Sequence, residues 1–177
     1  MAAASVALLA GCAGTDAERN PFAPGVAKSG TAVDAALVGH RLMRAGEYEL
    51  AISSFSRAAL DDGLTSEILL GLGSAYLGLG RVGQAEQLLR DAVAEDETSP
   101  EAWNNLGVTL MEQGEIAEAE QVFRRAYALD NGESDSIRDN LRLALAKQEN
   151  SVYGEATEQD YKLVRRGSSD YLIRSIP

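Results

Sequence analysis

Few side chains in this sequence have the chemistry to act on a substrate, and their spacing argues against it. His40 is the sole histidine, which excludes a metal site built on a histidine pair and leaves any nucleophile without an obvious base. An ordinary groove or surface role fits it better. Acids cluster at Glu95-Asp96-Glu97 with Glu101, and at Glu112, Glu115, Glu118 and Glu120. No Asp-x-Asp-x-Asn-Gly loop accompanies them, so they read as solvated helix ends and not as a cation site. Gly71-Leu72-Gly73, followed by Gly78 and Gly80, has the glycine density of a phosphate-cradling loop. Tyr76 stands where G-x-G-x-x-G needs its third glycine, and no strand pattern precedes the run. Cys12 is the only cysteine and cannot form an internal disulfide. The expectation is a protein that is not an enzyme, with no cofactor, no metal and no small-molecule substrate.

What positions these residues is helical. The chain has 177 residues, 45% of them hydrophobic and only 6% aromatic, with leucine and alanine dominating, which favours packed helices over sheets. The net charge of −11 lies upstream of the end of the chain. Residues 153–177 carry four acids (Glu155, Glu158, Asp160, Asp170) and four bases (Lys162, Arg165, Arg166, Arg174). An acidic body without a basic, aromatic-interleaved stripe argues against nucleic acid as a partner.

The same small residues return every 34 positions. Gly39, Gly73 and Gly107 form one column, and Gly46, Gly80 and Gly114 a second. Ala51, Ala85 and Ala119 form a third, and Ala58, Ala92 and Ala126 a fourth. Large apolar columns fall between them: Val38, Leu72 and Leu106; Leu42, Tyr76 and Leu110; Phe55, Leu89 and Phe123. Antiparallel helices approach closely only where side chains are small, so the first glycine and first alanine columns should mark the crossing within each helix pair. The second glycine column falls where the first helix of each pair should end in a left-handed residue. The second alanine column should face the next pair. Ser99-Pro100-Glu101 is a strong helix start; Thr65-Ser66-Glu67 is weaker, and Thr31 with Asp34 weaker again. Helices are predicted at 32–45 and 48–61, 66–79 and 82–95, and 100–113 and 116–129. A seventh at 134–148, with Ile137, Leu141 and Leu145 on one face, would cover the last apolar surface.

These columns resemble the tetratricopeptide repeat (TPR), whose signature runs Trp, Leu-Gly, Tyr, Gly, Ala, Phe or Tyr, Ala. The third repeat supplies Trp103, Leu106, Gly107, Gly114, Ala119, Phe123 and Ala126, with Leu110 where Tyr is usual. The resemblance covers residues 32–148 and implies an all-α, right-handed α-solenoid of three TPR helix pairs (32–65, 66–99, 100–133) plus a C-terminal capping helix (134–148). It also implies a peptide-binding groove along the first helix of each pair. The groove positions are Val33, Ala36, His40 and Met43; Glu67, Leu70, Ser74 and Leu77; Glu101, Asn104, Val108 and Met111. They form an apolar floor with acidic margins. With no lysine or arginine among them, a clamp for a partner's terminal carboxylate is not expected. Met43, Leu77 and Met111 recur at the repeat period and suit an adaptable peptide site, or else simply pack against neighbouring helices.

Residues 1–11 are small or apolar and run into Leu9-Ala10-Gly11-Cys12, after which the chain turns polar. This resembles the lipobox of bacterial lipoproteins, although Met1-Ala2-Ala3-Ala4 lacks the basic residues of such signals. The resemblance implies a signal peptide at 1–11, lipidation of Cys12 and a flexible linker over 12–31. With Ala13 following the cysteine, it implies the periplasmic face of an outer membrane. The alternative is an ordinary helix start with Cys12 as a small core residue, in a cytoplasmic adaptor. After Asn150 the periodicity stops, yet Tyr153, Tyr161, Tyr171, Leu163, Val164, Leu172 and Ile173 are too apolar for a pure linker. Residues 149–177 are expected to be a partly disordered tail, one that either docks on a partner or folds loosely on its own groove. Lipobox, repeats, capping helix and tail together resemble the TadD-like lipoproteins of the Flp, or tight-adherence (Tad), pilus system. That implies a scaffold binding a secretin or other pilus-assembly component; a general envelope-assembly scaffold is the alternative.

Overall fold

The computed structural model describes residues 33–153, 161–167 and 170–175; Cys12, the signal reading and the linker lie outside the described residues. Seven helices follow in order: α1 (Ala35–Ala45), α2 (Tyr48–Asp62), α3 (Ser66–Gly78), α4 (Val82–Glu95), α5 (Pro100–Gln113), α6 (Ile116–Leu129) and α7 (Asp135–Tyr153). Each packs mainly on its sequence neighbours, as expected of an α-solenoid, and the all-α repeat architecture stands. No helix among the described residues is long and apolar enough to cross a membrane.

The helix ends follow capping chemistry. Ser99 accepts from the Ala102 amide at 3.2 Å, with Pro100 in the first turn. The start of α1 lies three residues later than predicted because Asp34, not Thr31, is the cap, accepting from the Ala36 amide at 2.8 Å. Gly46 and Gly114 close α1 and α5 in the left-handed region at φ 81° and 84°, a conformation costly for residues with a Cβ.

Within each pair the first glycine column makes room for a large side chain of the second helix. A Cβ added at Gly39 would stand 2.8 Å from the Phe55 ring, at Gly73 2.7 Å from Leu89, and at Gly107 2.6 Å from Phe123. Gly71 does the same across pairs, since its Cβ would meet Phe55 at 2.6 Å. Both alanine columns are buried. Two apolar clusters result, one around Phe55 and one running from α3 to α7.

The C-terminal region differs from expectation. Helix α7 runs to Tyr153, beyond the predicted 148, and the described part of the stretch that follows is regular structure. It forms an antiparallel hairpin of β1 (Tyr161–Arg166) and β2 (Asp170–Ser175), with Leu163 opposite Ile173 and Arg165 opposite Tyr171. Both strands are rich in aromatic, branched and aliphatic residues and are separated by Gly167-Ser168-Ser169, the composition of a hairpin. Tyr171, Leu172 and Ile173 are buried, and β2 packs on α5 and α7.

Candidate binding groove

The first helices α1, α3 and α5, continued by α7, present one face to the hairpin. Asn140 of α7 donates to the Tyr171 carbonyl at 2.7 Å and accepts from the Ile173 amide at 3.0 Å. One side-chain amide thus takes the C=O of one strand residue and the N–H of the residue two further on, as a residue of a neighbouring parallel strand would. Asn104 of α5 donates to the same carbonyl at 3.1 Å and to Asp170 Oδ1 at 2.7 Å, and its own Oδ1 accepts from Asn140 at 2.9 Å. Ser136 of α7 bonds the other Asp170 oxygen. On the outer edge of β2, a row of backbone groups turned from β1, asparagine side chains meet the Tyr171 carbonyl and the Ile173 amide.

Side chains complete the seat. The Tyr171 hydroxyl donates to the Ser74 carbonyl of α3 at 2.7 Å, and Ser74 Oγ accepts from Asn105 at 2.9 Å. A Cβ on Gly78 would stand 2.6 Å from the Tyr48 ring and 2.9 Å from that hydroxyl, so this glycine, outside the repeat columns, opens the space Tyr171 fills. On β1, the Arg165 guanidinium donates to the Arg44 carbonyl at 2.8 Å, near the C-terminal end of α1, and lies 5.9 Å over the Tyr48 ring. The hairpin therefore touches α1, α3, α5 and α7 in turn.

Burial pushes the Asp170 carboxyl above the usual carboxylate range, with Ser136 opposing and the nearby charge of Glu101 adding to the rise. Burial likewise pushes the Tyr171 phenol well up. In both cases burial disfavours the charged form.

The expected groove positions divide. Ser74 and Asn104 are fully buried and bond the hairpin directly. Met43, Leu77, Val108 and Met111 were expected on an open floor, but all are buried. Met43 belongs to the cluster around Phe55, and the other three share a cluster with Tyr171 and Ile173, so the apolar floor is covered instead of open. Ala36 is buried, Leu70 half-buried against the core, and Val33 exposed. His40 bonds Glu67 at 2.9 Å and meets the Phe55 ring edge-on at 5.1 Å, while Glu67 and Glu101 stay exposed at the margin. Sequence reasoning does not place Asn140, Ser136, Gly78, Asp170 or Tyr171 in the groove, although Tyr171 stands among the residues too apolar for a linker. The signal available was Asn140-Leu141, repeating Asn105-Leu106 on an otherwise apolar face. Among the described residues no group of His, Cys, Asp and Glu could hold a metal ion.

The tetratricopeptide repeat model matches residues 39–100 and 71–134, together more than half of the chain. This protein belongs to the tetratricopeptide repeat family. No curated protein matches it. Among solved structures, the TPR domain of Sgt2 from Aspergillus fumigatus is similar over 76% of this chain and 90% of that one, at 23% identity and a TM-score of 0.66. The second TPR domain of human RPAP3, solved in complex with an HSP70 peptide, covers 64% of this chain and 94% of its own, at 24% identity and a TM-score of 0.58. The type III secretion chaperone SycD of Yersinia enterocolitica, in complex with a peptide of the translocator YopD, gives 22% identity and a TM-score of 0.57, covering 64% of this chain and 92% of that one. At these identities the likeness is one of fold.

Proposed function

We propose that this protein is a protein-binding scaffold whose groove holds an extended segment of a partner. The reading continues to the cell envelope: a lipoprotein anchored through Cys12 to the periplasmic face of the outer membrane, assisting assembly or localisation of a Flp/Tad pilus or secretion component such as a secretin. The observation that carries the binding role is the buried pair Asn104 and Asn140, which holds a strand by its backbone, with the Ser74 carbonyl accepting from the strand's tyrosine hydroxyl. Peptide complexes of two similarly folded proteins, one with an HSP70 peptide and one with a YopD peptide, support use of such a fold for peptides. The lipobox resemblance around Cys12 supports the location.

The test has two arms. Mass spectrometry of the mature amino terminus is expected to find an acylated Cys12; an unmodified Met1 overturns the anchored reading. A photo-crosslinking residue at Leu70, half-buried beside the groove, is expected to capture the secretin in cells carrying the pilus genes. Crosslinking only to cytoplasmic proteins would instead place the scaffold inside the cell.

A further inference from the structure

We infer that the hairpin is a built-in occupant of the groove, and that the partner segment which replaces it is an extended strand of the same pattern: an acid, a tyrosine, an apolar residue, then a branched aliphatic. This deepens the scaffold reading and rests on it. The pattern is that of Asp170-Tyr171-Leu172-Ile173 as the groove reads it. The acid meets Ser136 and Asn104, and the tyrosine passes Gly78 to reach the Ser74 carbonyl. The backbone after the tyrosine is read by Asn140, and the aliphatic enters the cluster shared with Leu77, Val108 and Met111.

Three observations argue that this occupant is exchangeable. The contacts to the strand's backbone come from side-chain amides, which any extended chain can satisfy whatever its sequence. Among the described residues the pair β1–β2 is a two-stranded sheet with no third strand, and such a hairpin is marginal in water once it leaves its support. Its seat also holds a carboxylate that burial disfavours, close to Glu101, so the fit includes a cost that leaving would relieve. Each helix pair also keeps its own glycine and alanine crossings without the hairpin, which covers the face where Leu77, Val108 and Met111 meet Tyr171 and Ile173.

The test uses the full chain and a labelled peptide with the sequence of residues 168–175, Ser-Ser-Asp-Tyr-Leu-Ile-Arg-Ser. Tyr171→Ala, and separately Ile173→Pro, should loosen the hairpin in place. Fluorescence anisotropy is expected to show each variant binding the peptide at least tenfold more tightly than the wild type, with Asn140→Ala in the same background abolishing the gain. A peptide with Tyr and Asp exchanged for Ala should bind none of them. Helical circular dichroism shows which variants remain folded, and the two loosening variants fail independently. Folded loosened variants that bind the peptide no better than wild type, or gain that survives Asn140→Ala, would overturn the inference. If the peptide result fails while the Leu70 crosslink to a partner persists, the scaffold binds through another mode and only this inference falls. If the peptide binds but no cellular partner crosslinks, the scaffold reading falls instead.

Discussion

Within the repeats, Phe55, Leu89 and Phe123 each fill the space left by a glycine on the facing helix, and the same contact recurs three times. Where the hairpin lies against α5 and α7, apolar contacts of Tyr171 and Ile173 are joined by buried hydrogen bonds that occur once, through Asn104, Asn140, Ser136 and Asp170. The difference separates two kinds of stability. Apolar packing in the repeats is non-directional. The hairpin seat is directional, and losing one partner strands the others in a buried site.

Breaking the repeat side should therefore be global. Phe123→Ala removes a fully buried ring and is expected to cost about 3–5 kcal/mol, read as a loss of unfolding free energy in urea with helices and hairpin melting together. Breaking the hairpin side should be local. Asn140→Ala leaves the Tyr171 carbonyl short of a donor and the Ile173 amide without its acceptor, which is expected to cost about 1–3 kcal/mol. Trypsin cleavage after Arg165 and Arg166 should quicken at least tenfold while the helical melt barely moves. Equal destabilisation of helices and hairpin by both variants would erase the distinction.

A pH titration sharpens it. Asp170 has a docked pKa raised above its free value, so the docked state holds the proton more tightly and the unfavourable term is fully present above that raised pKa. Hairpin protection is expected to increase as pH falls from neutral through the raised pKa, with Glu101 and Arg166 as the neighbouring charges. Asp170→Asn should flatten this dependence; an unchanged pH profile in that variant would assign it to another group. The smallest effect is expected from Glu67→Gln, which weakens the margin contact to His40. Glu67 is well exposed, so the change should stay below about 1 kcal/mol in the same urea titration.

The contrast also explains what could be read from the chain. The columns of Gly39, Gly73 and Gly107, and of Phe55, Leu89 and Phe123, are legible because each contact is repeated in register, which turns a packing requirement into a period. The ends of α1 and α5 are legible because Gly46 and Gly114 carry a backbone requirement. The seat of the hairpin has no such redundancy. Asn104 was placed on the groove by register alone, while Asn140 lies one residue out of register and Gly78 belongs to no column. Their purpose depends on a strand 31 residues beyond Asn140, 67 beyond Asn104 and farther still from Gly78, a pairing that local pattern does not encode. The floor was read as open because helical register alone does not show what covers a face: Leu77, Val108 and Met111 share their cluster with Tyr171.

Site-resolved hydrogen exchange of the full chain reaches the central claim most directly. With the Tyr171 carbonyl and Ile173 amide turned to Asn140, the Leu172 amide faces β1, opposite Val164. A docked hairpin is expected to protect both amides, Leu172 through β1 and Ile173 through α7, with Ile173 losing protection first in Asn140→Ala. Protection at Leu172 with Ile173 exchanging as fast as an unstructured amide would show a hairpin that forms without occupying the groove, and would contradict the account.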